Sequence, residues 1–102
     1  MRRVVVTGMG ALTPIGNNLQ EYWKGLVEGA SGAAFITHFD TSKFKTRFAC
    51  EIKNYNPADY FDRKESRKMD RYTQYAHIAA DEAVKDAGLD PEATDKDRSG
   101  II

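Results

Sequence analysis

The chain has 102 residues, with 15 basic and 15 acidic side chains and a net charge of zero. That length suits one small domain with a modest core, and the neutral balance argues against wholesale nucleic-acid binding, which calls for a basic domain. Cys50 is the single cysteine, which excludes an intramolecular disulfide framework and fits a reducing compartment.

Met1-Arg2-Arg3 followed by Val4-Val5-Val6 superficially resembles a signal-peptide start, but the apolar run stops at Thr7-Gly8. It is too short for a signal core and far short of a membrane span, so a soluble, cytoplasmic chain is expected. Val4-Val5-Val6-Thr7 is β-branched and apolar without alternation, which predicts a strand buried on both faces. A Gly-rich exit follows from Gly8 to Gly16, with Pro14 blocking immediate helix propagation. Gly8-Met9-Gly10 after a strand invites a dinucleotide-binding reading. The third glycine of that fingerprint would fall at Thr13, however, and Pro14 stands where the helix should be running. Tight backbone packing and positive φ account for these glycines better.

A helix is predicted from Asn17 or Asn18, with Asn18 and Glu21 at capping-box spacing and Gly29 as its stop. Tyr22, Trp23, Leu26 and Val27 form its apolar stripe. Residues 30–46 read as a loop with a short turn. Arg47 to Lys53 alternates, which predicts a half-exposed strand with Phe48, Cys50 and Ile52 facing inward. Asn56-Pro57 opens a short helical turn. Asp62 and Glu65 then offer cap-like spacing for one long helix running to Ala87, closed by Gly88, with Leu89 packing back and Pro91 preventing continuation. Ser99-Gly100-Ile101-Ile102 begins an apolar strand, so the chain is expected to be a fragment.

The strongest feature is the cationic run Arg63, Lys64, Arg67, Lys68 and Arg71 at the start of that long helix. At about 100° per residue these fall on one side, with Met69, Tyr72, Ala76, Ala79, Ala80, Ala83, Val84 and Ala87 on the other. Cations at a helix N-terminus oppose the macrodipole, a cost that an anionic partner would offset; the competing reading is a solvated charged face.

Cys50 is the obvious nucleophile candidate. A reactive thiolate wants a helix N-terminus or a neighbouring cation, whereas Cys50 sits at an inward strand position beside Glu51, so it reads as a buried structural thiol. His38 falls in a loop and His77 beside the polar arc of the long helix; both read as structural or surface residues. Two histidines and one cysteine at these spacings form no metal-ligand set.

Taken together, Arg3 to Asn17, Tyr22-Trp23, Ser31-Gly32, His38-Phe39-Asp40-Thr41-Ser42, Arg63 to Asp70, Ala79 to Gly88 and Ser99-Gly100 resemble the opening of the bacterial β-ketoacyl-acyl-carrier-protein synthases. These are the condensing enzymes of fatty-acid synthesis, and the likeness is greatest to their synthase II branch. The resemblance implies an α/β, thiolase-like fold of five α-β-α-β-α layers, of which residues 1–102 are the first part of the N-terminal half. It implies a cytoplasmic homodimer when intact, and elongation of acyl-ACP by malonyl-ACP through a Cys thioester. The Cys-His-His triad of the family belongs to later segments, so no catalytic residue is placed here, and no cofactor or metal is implied. Family cations matching Lys64, Arg67 and Lys68 contribute to acyl-carrier-protein docking, and that role is carried over to these three residues. Two other classes stay open: a non-catalytic module binding an acidic protein through the 63–71 run, and a nucleic-acid or membrane-surface binder. The second is opposed by zero net charge and by a basic face without interleaved aromatic residues.

Overall fold

Glycine and alanine spacing sets the central contact of the molecule. In a computed structural model, which describes residues 1–102, the segment around Gly8 and Gly10 crosses the longest helix, α3 (Arg71–Asp86), at its small residues. A Cβ built on Gly8 would lie 2.7 Å from the Ala87 Cβ, and one on Gly10 would lie 2.8 Å from the Ala83 nitrogen and collide with the Ala79 carbonyl. Any side chain there would push the segment off the helix. The two glycines therefore permit close packing, as expected; positive φ among glycines belongs instead to Gly29 and Gly88. The same segment is pinned by carboxylates of α3. The Met9 N–H donates to Asp86 Oδ2 at 2.9 Å and the Ala11 N–H to Glu82 Oε2 at 2.9 Å. Glu82 Oε1 also accepts the Leu19 N–H at 2.8 Å, tying the start of α1 to α3.

Helix α1 (Leu19–Glu28) begins and ends where capping chemistry predicts. Asn18 Oδ1 accepts the Glu21 N–H at 2.8 Å, Glu21 reaches back to the Asn17 N–H at 2.8 Å, and Gly29 closes the helix at φ 68°. Gly25 is buried against Ile15, which sits in a tight turn closed by paired backbone bonds between Thr13 and Gly16. Beyond α1, strands β1 (Ala34–Phe35) and β2 (Phe48–Ala49) pair antiparallel, Ala34 opposite Ala49 and Phe35 opposite Phe48. Lys53 fastens this hairpin to the turn at 13–16, donating to the Pro14 carbonyl at 3.1 Å and the Gly32 carbonyl at 2.7 Å. A 3-10 turn (Pro57–Asp59) with Asn56 as its cap leads into a one-turn helix, α2 (Arg63–Ser66), and then α3. Gly88 at φ 61° ends the α3 region, and the Leu89 N–H bonds back to the Val84 carbonyl at 3.2 Å. A last 3-10 turn spans Lys96–Arg98. No helix is long and apolar enough to cross a membrane.

Four sequence expectations require correction. Residues 4–7 and 99–102 form no strand, and Val4 and Val6 are 91% and 80% exposed. A buried strand needs hydrogen-bonding neighbours on both edges and layers on both faces, and the two-residue strands here lie beside neither segment. The strand predicted at 47–53 shrinks to Phe48–Ala49, with Phe48 and Cys50 exposed and Ile52 half-buried. Trp23, Leu26 and Val27 of the α1 stripe and Tyr72 and Val84 of the α3 stripe stand in the open. Finally, the single long helix from 63 to 87 is two helices. Asp70 leaves the helical region at φ −70°, ψ 169° and becomes the N-cap of α3, accepting the Thr73 N–H at 2.8 Å. The aspartate side chain competes for backbone donors and favours a cap over a helix interior.

Candidate functional site

The break between α2 and α3 reorganises the cationic run. Asp62 caps α2 through the Glu65 N–H at 2.7 Å, as its spacing predicts. Arg63 and Lys64 lie in that turn, Arg67 follows it with helical dihedrals, φ −74° and ψ −19°, and the Lys68 N–H still bonds the Glu65 carbonyl at 3.0 Å. Lys64, Arg67 and Lys68 therefore keep i, i+3, i+4 spacing on a near-helical backbone and share one side. All three are exposed, and neither they nor Arg63 has a carboxylate within ion-pair distance. Lys64 sits in the single turn of α2, and Arg67 and Lys68 follow its last residue, so the three are not gathered at the N-terminus of a long helix and the expected conflict with its macrodipole does not arise.

Arg71 leaves the group. It opens α3 and turns to the loop before β2, where its Nη1 lies 2.9 Å from His38 Nδ1 and 3.2 Å from Nε2. One nitrogen that close to both ring nitrogens lies along neither lone pair, so the guanidinium rests against the imidazole without a directed hydrogen bond. Glu51 gathers the other side of this loop. Its carboxylate accepts the Thr37 hydroxyl at 2.8 Å, the Thr37 N–H at 3.1 Å and the His38 N–H at 3.4 Å, with His38 Nε2 at 3.6 Å. Partial burial pushes the Glu51 carboxyl upward, but the Thr37 and His38 bonds and the His38 charge outweigh it, leaving it below the ordinary glutamate value. His38 is thus a structural loop residue, as expected.

Sequence reasoning missed the pair that organises the α2–α3 step. Gln74 is only 5% exposed. Its Nε2 donates to the Ser66 carbonyl at 2.9 Å and the Met69 carbonyl at 3.1 Å, and its Oε1 accepts the Tyr55 hydroxyl. Tyr55 stacks on Tyr60 at 5.9 Å and meets Tyr75 edge-on at 5.0 Å. Burial, then the nearby Tyr75 and Tyr60 rings, raise the Tyr55 phenol above its ordinary value. The signal in the sequence was Asp70, a second cap residue inside an apparently continuous helix.

Chemistry-bearing residues are otherwise sparse. Cys50 is exposed just past β2, not at a helix N-terminus. His77 is exposed and meets the Phe61 ring edge-on at 6.3 Å. An open cleft of about 1130 Å³ is lined by residues including Met9, Trp23, Phe61, Ile78 and Glu82, but no Cys, Ser or Thr faces it. No group of three His, Cys, Asp or Glu side chains is placed to hold a metal ion.

Comparison with known proteins gives this arrangement a context. The family described as beta-ketoacyl synthase, N-terminal domain, matches residues 1–102. Over 100 residues the chain is 50% identical to 3-oxoacyl-[acyl-carrier-protein] synthase 2 of Staphylococcus aureus (strain COL), covering 98% of this chain and 24% of that protein. It is 46% identical over 101 residues to the protein of the same name from Synechocystis sp., covering 99% and 24%. Among solved structures, the ishigamide ketosynthase/chain length factor superimposes with a TM-score of 0.79 at 44% identity, over 89% of this chain and 23% of that one. A beta-ketoacyl synthase from Burkholderia phymatum STM815 superimposes with a TM-score of 0.70 at 30% identity, over 95% and 24%. The chain spans about a quarter of the length of these curated relatives.

Proposed function

The chain belongs to the β-ketoacyl synthase family, at its N-terminal domain, and from that premise we propose that it forms the first part of a 3-oxoacyl-acyl-carrier-protein synthase. The carrying observation is 50% identity to such a synthase over 98% of the chain. In this reading residues 1–102 build the beginning of the N-terminal half of a five-layer, thiolase-like fold in a cytoplasmic homodimer. A cysteine outside these residues takes the acyl group from acyl-ACP as a thioester and releases the carrier thiol. Malonyl-ACP then loses CO2, and the resulting carbanion attacks that thioester, with backbone N–H groups stabilising the oxyanion. No residue of this chain carries a chemical step. Cys50 is exposed just past β2 and away from any helix N-terminus, the position that favours a reactive thiolate.

The part assigned to this chain is recognition: Lys64, Arg67 and Lys68 dock the acidic acyl carrier protein. Support comes from their shared side, their exposure and their freedom from internal carboxylate partners. Exposed ion pairs contribute roughly 0.2–1 kcal/mol each, so one Lys→Ala change has little effect. Reversing all three to Glu replaces attraction by repulsion and costs about 2–3 kcal/mol, mainly through slower association. The expected result in the full-length protein is a rise of roughly 30- to 150-fold in KM for carrier-borne substrates, shrinking as salt screens the charges. The ratio of kcat/KM for acyl-ACP to that for a small carrier-free thioester falls accordingly. An unchanged KM at low salt would make the three cations a solvated face.

A further inference from the structure

We propose that Gln74 is a positioning residue for carrier docking: its side-chain amide fixes the step between α2 and α3 and so holds Arg67 and Lys68 in place. The inference rests on the docking reading above. Gln74 is the one polar side chain that the fold buries, and every polar atom of its amide is committed. Both Nε2 hydrogens go to the Ser66 and Met69 carbonyls, which bracket Arg67 and Lys68 in the chain. Neither carbonyl accepts a backbone N–H. The Lys68 N–H bond to the Glu65 carbonyl ties the two residues back to α2, but they lie beyond its helical ladder and before that of α3, and no backbone hydrogen bond carries them forward onto α3. The Tyr55 hydroxyl, itself placed by Tyr60 and Tyr75, occupies Oε1 and orients the amide. A residue needed only to fill this space would be apolar; one that donates twice, to carbonyls three residues apart, sets a backbone geometry. Gln74 touches no partner and acts through the two cations it brackets.

The test is a double-mutant cycle in the full-length synthase, with acyl-ACP and a small acyl thioester as alternative substrates. Gln74→Met keeps the volume and removes both donors. It is expected to raise KM for acyl-ACP about 3- to 10-fold and to lower the ratio of kcat/KM for acyl-ACP to that for the small thioester by the same factor. In an Arg67→Ala/Lys68→Ala background the same change is expected to add nothing, because the groups it positions are gone. Tyr55→Phe loosens the amide from its other end while keeping ring stacking. It is expected to move KM in the same direction by less, which keeps the test open if Gln74→Met folds poorly. Equal losses with both substrates, or an effect that persists undiminished in the double-alanine background, would overturn the proposal in favour of plain structural damage. If Arg67→Ala/Lys68→Ala raises KM but neither Gln74→Met nor Tyr55→Phe does, positioning fails while docking stands. If the double alanine leaves KM unchanged, docking itself fails and takes the positioning role with it.

Discussion

Gly10 is the position at which the close approach of residues 8–10 to α3 can be measured. A Cβ at Gly10 would strike the Ala79 carbonyl and lie 2.8 Å from the Ala83 nitrogen, both backbone atoms of a helix that cannot give way. Gly10→Ala in the full-length protein is therefore expected to destabilise by about 1–3 kcal/mol, the range for overpacking, and to lower the yield of soluble protein. The denaturant midpoint of this variant, compared with that of the parent protein, checks the expectation. The sequence pointed to tight packing at Gly8 and Gly10 but not to its partner, which the structure identifies as Ala79, Ala83 and Ala87 of the α3 region. Gln74 and Tyr55 were not legible, because a glutamine in a polar helix reads as exposed until the backbone break it repairs is known. Cys50 shows the converse limit: alternation in residues 47–53 predicts an inward thiol, but an inward face requires something to face.

At the scale of elements, caps were the most legible features and continuity the least. Asn18, Gly29, Asn56, Asp62 and Gly88 all terminate elements as their chemistry predicts. Asp70 does the same and for that reason splits the expected long helix. Hydrophobic periodicity runs through the break, since four residues of turn between α2 and α3 disturb a 3.6-residue repeat very little. The Thr73 N–H, followed by the Thr73 side chain, holds the Asp70 carboxyl below the ordinary value of 3.8. A folded value lowered in this way means that the cap's contribution is present above 3.8 and is lost as pH falls through the lowered value. Asp70→Ala is expected to speed amide hydrogen exchange at Thr73 several-fold at neutral pH. Asp70→Asn, which caps as well without titrating, is expected to keep that protection and to remove its loss on acidification. Equal exchange at Thr73 in all three proteins would mean that Asp70 ends α2 without stabilising α3.

For the whole molecule, burial and size set the expectation. Gly25 and Gln74 are the buried residues of 102, and the radius of gyration is 17.1 Å, against about 13 Å for a compact domain of this length. Val4, Trp23, Phe35 and Tyr72 are 91%, 67%, 79% and 81% exposed. Residues with strand and core character thus form the faces of a structure whose complementary layers these 102 residues do not supply. This explains why the α/β class and the helices were legible in the sequence while the sheet was not: a helix closes its hydrogen bonds within itself, and a strand closes them only on a neighbour. Residues 1–102 produced alone are expected to bind hydrophobic dyes, aggregate at micromolar concentration and lose structure on heating without a sharp transition. They are also expected to form no β-ketoacyl product from acyl-ACP and malonyl-ACP above background. Cooperative unfolding of a soluble monomer would establish an autonomous domain. A thioester on Cys50 that Cys50→Ser abolishes would place chemistry in this chain and overturn its assignment to recognition and scaffold.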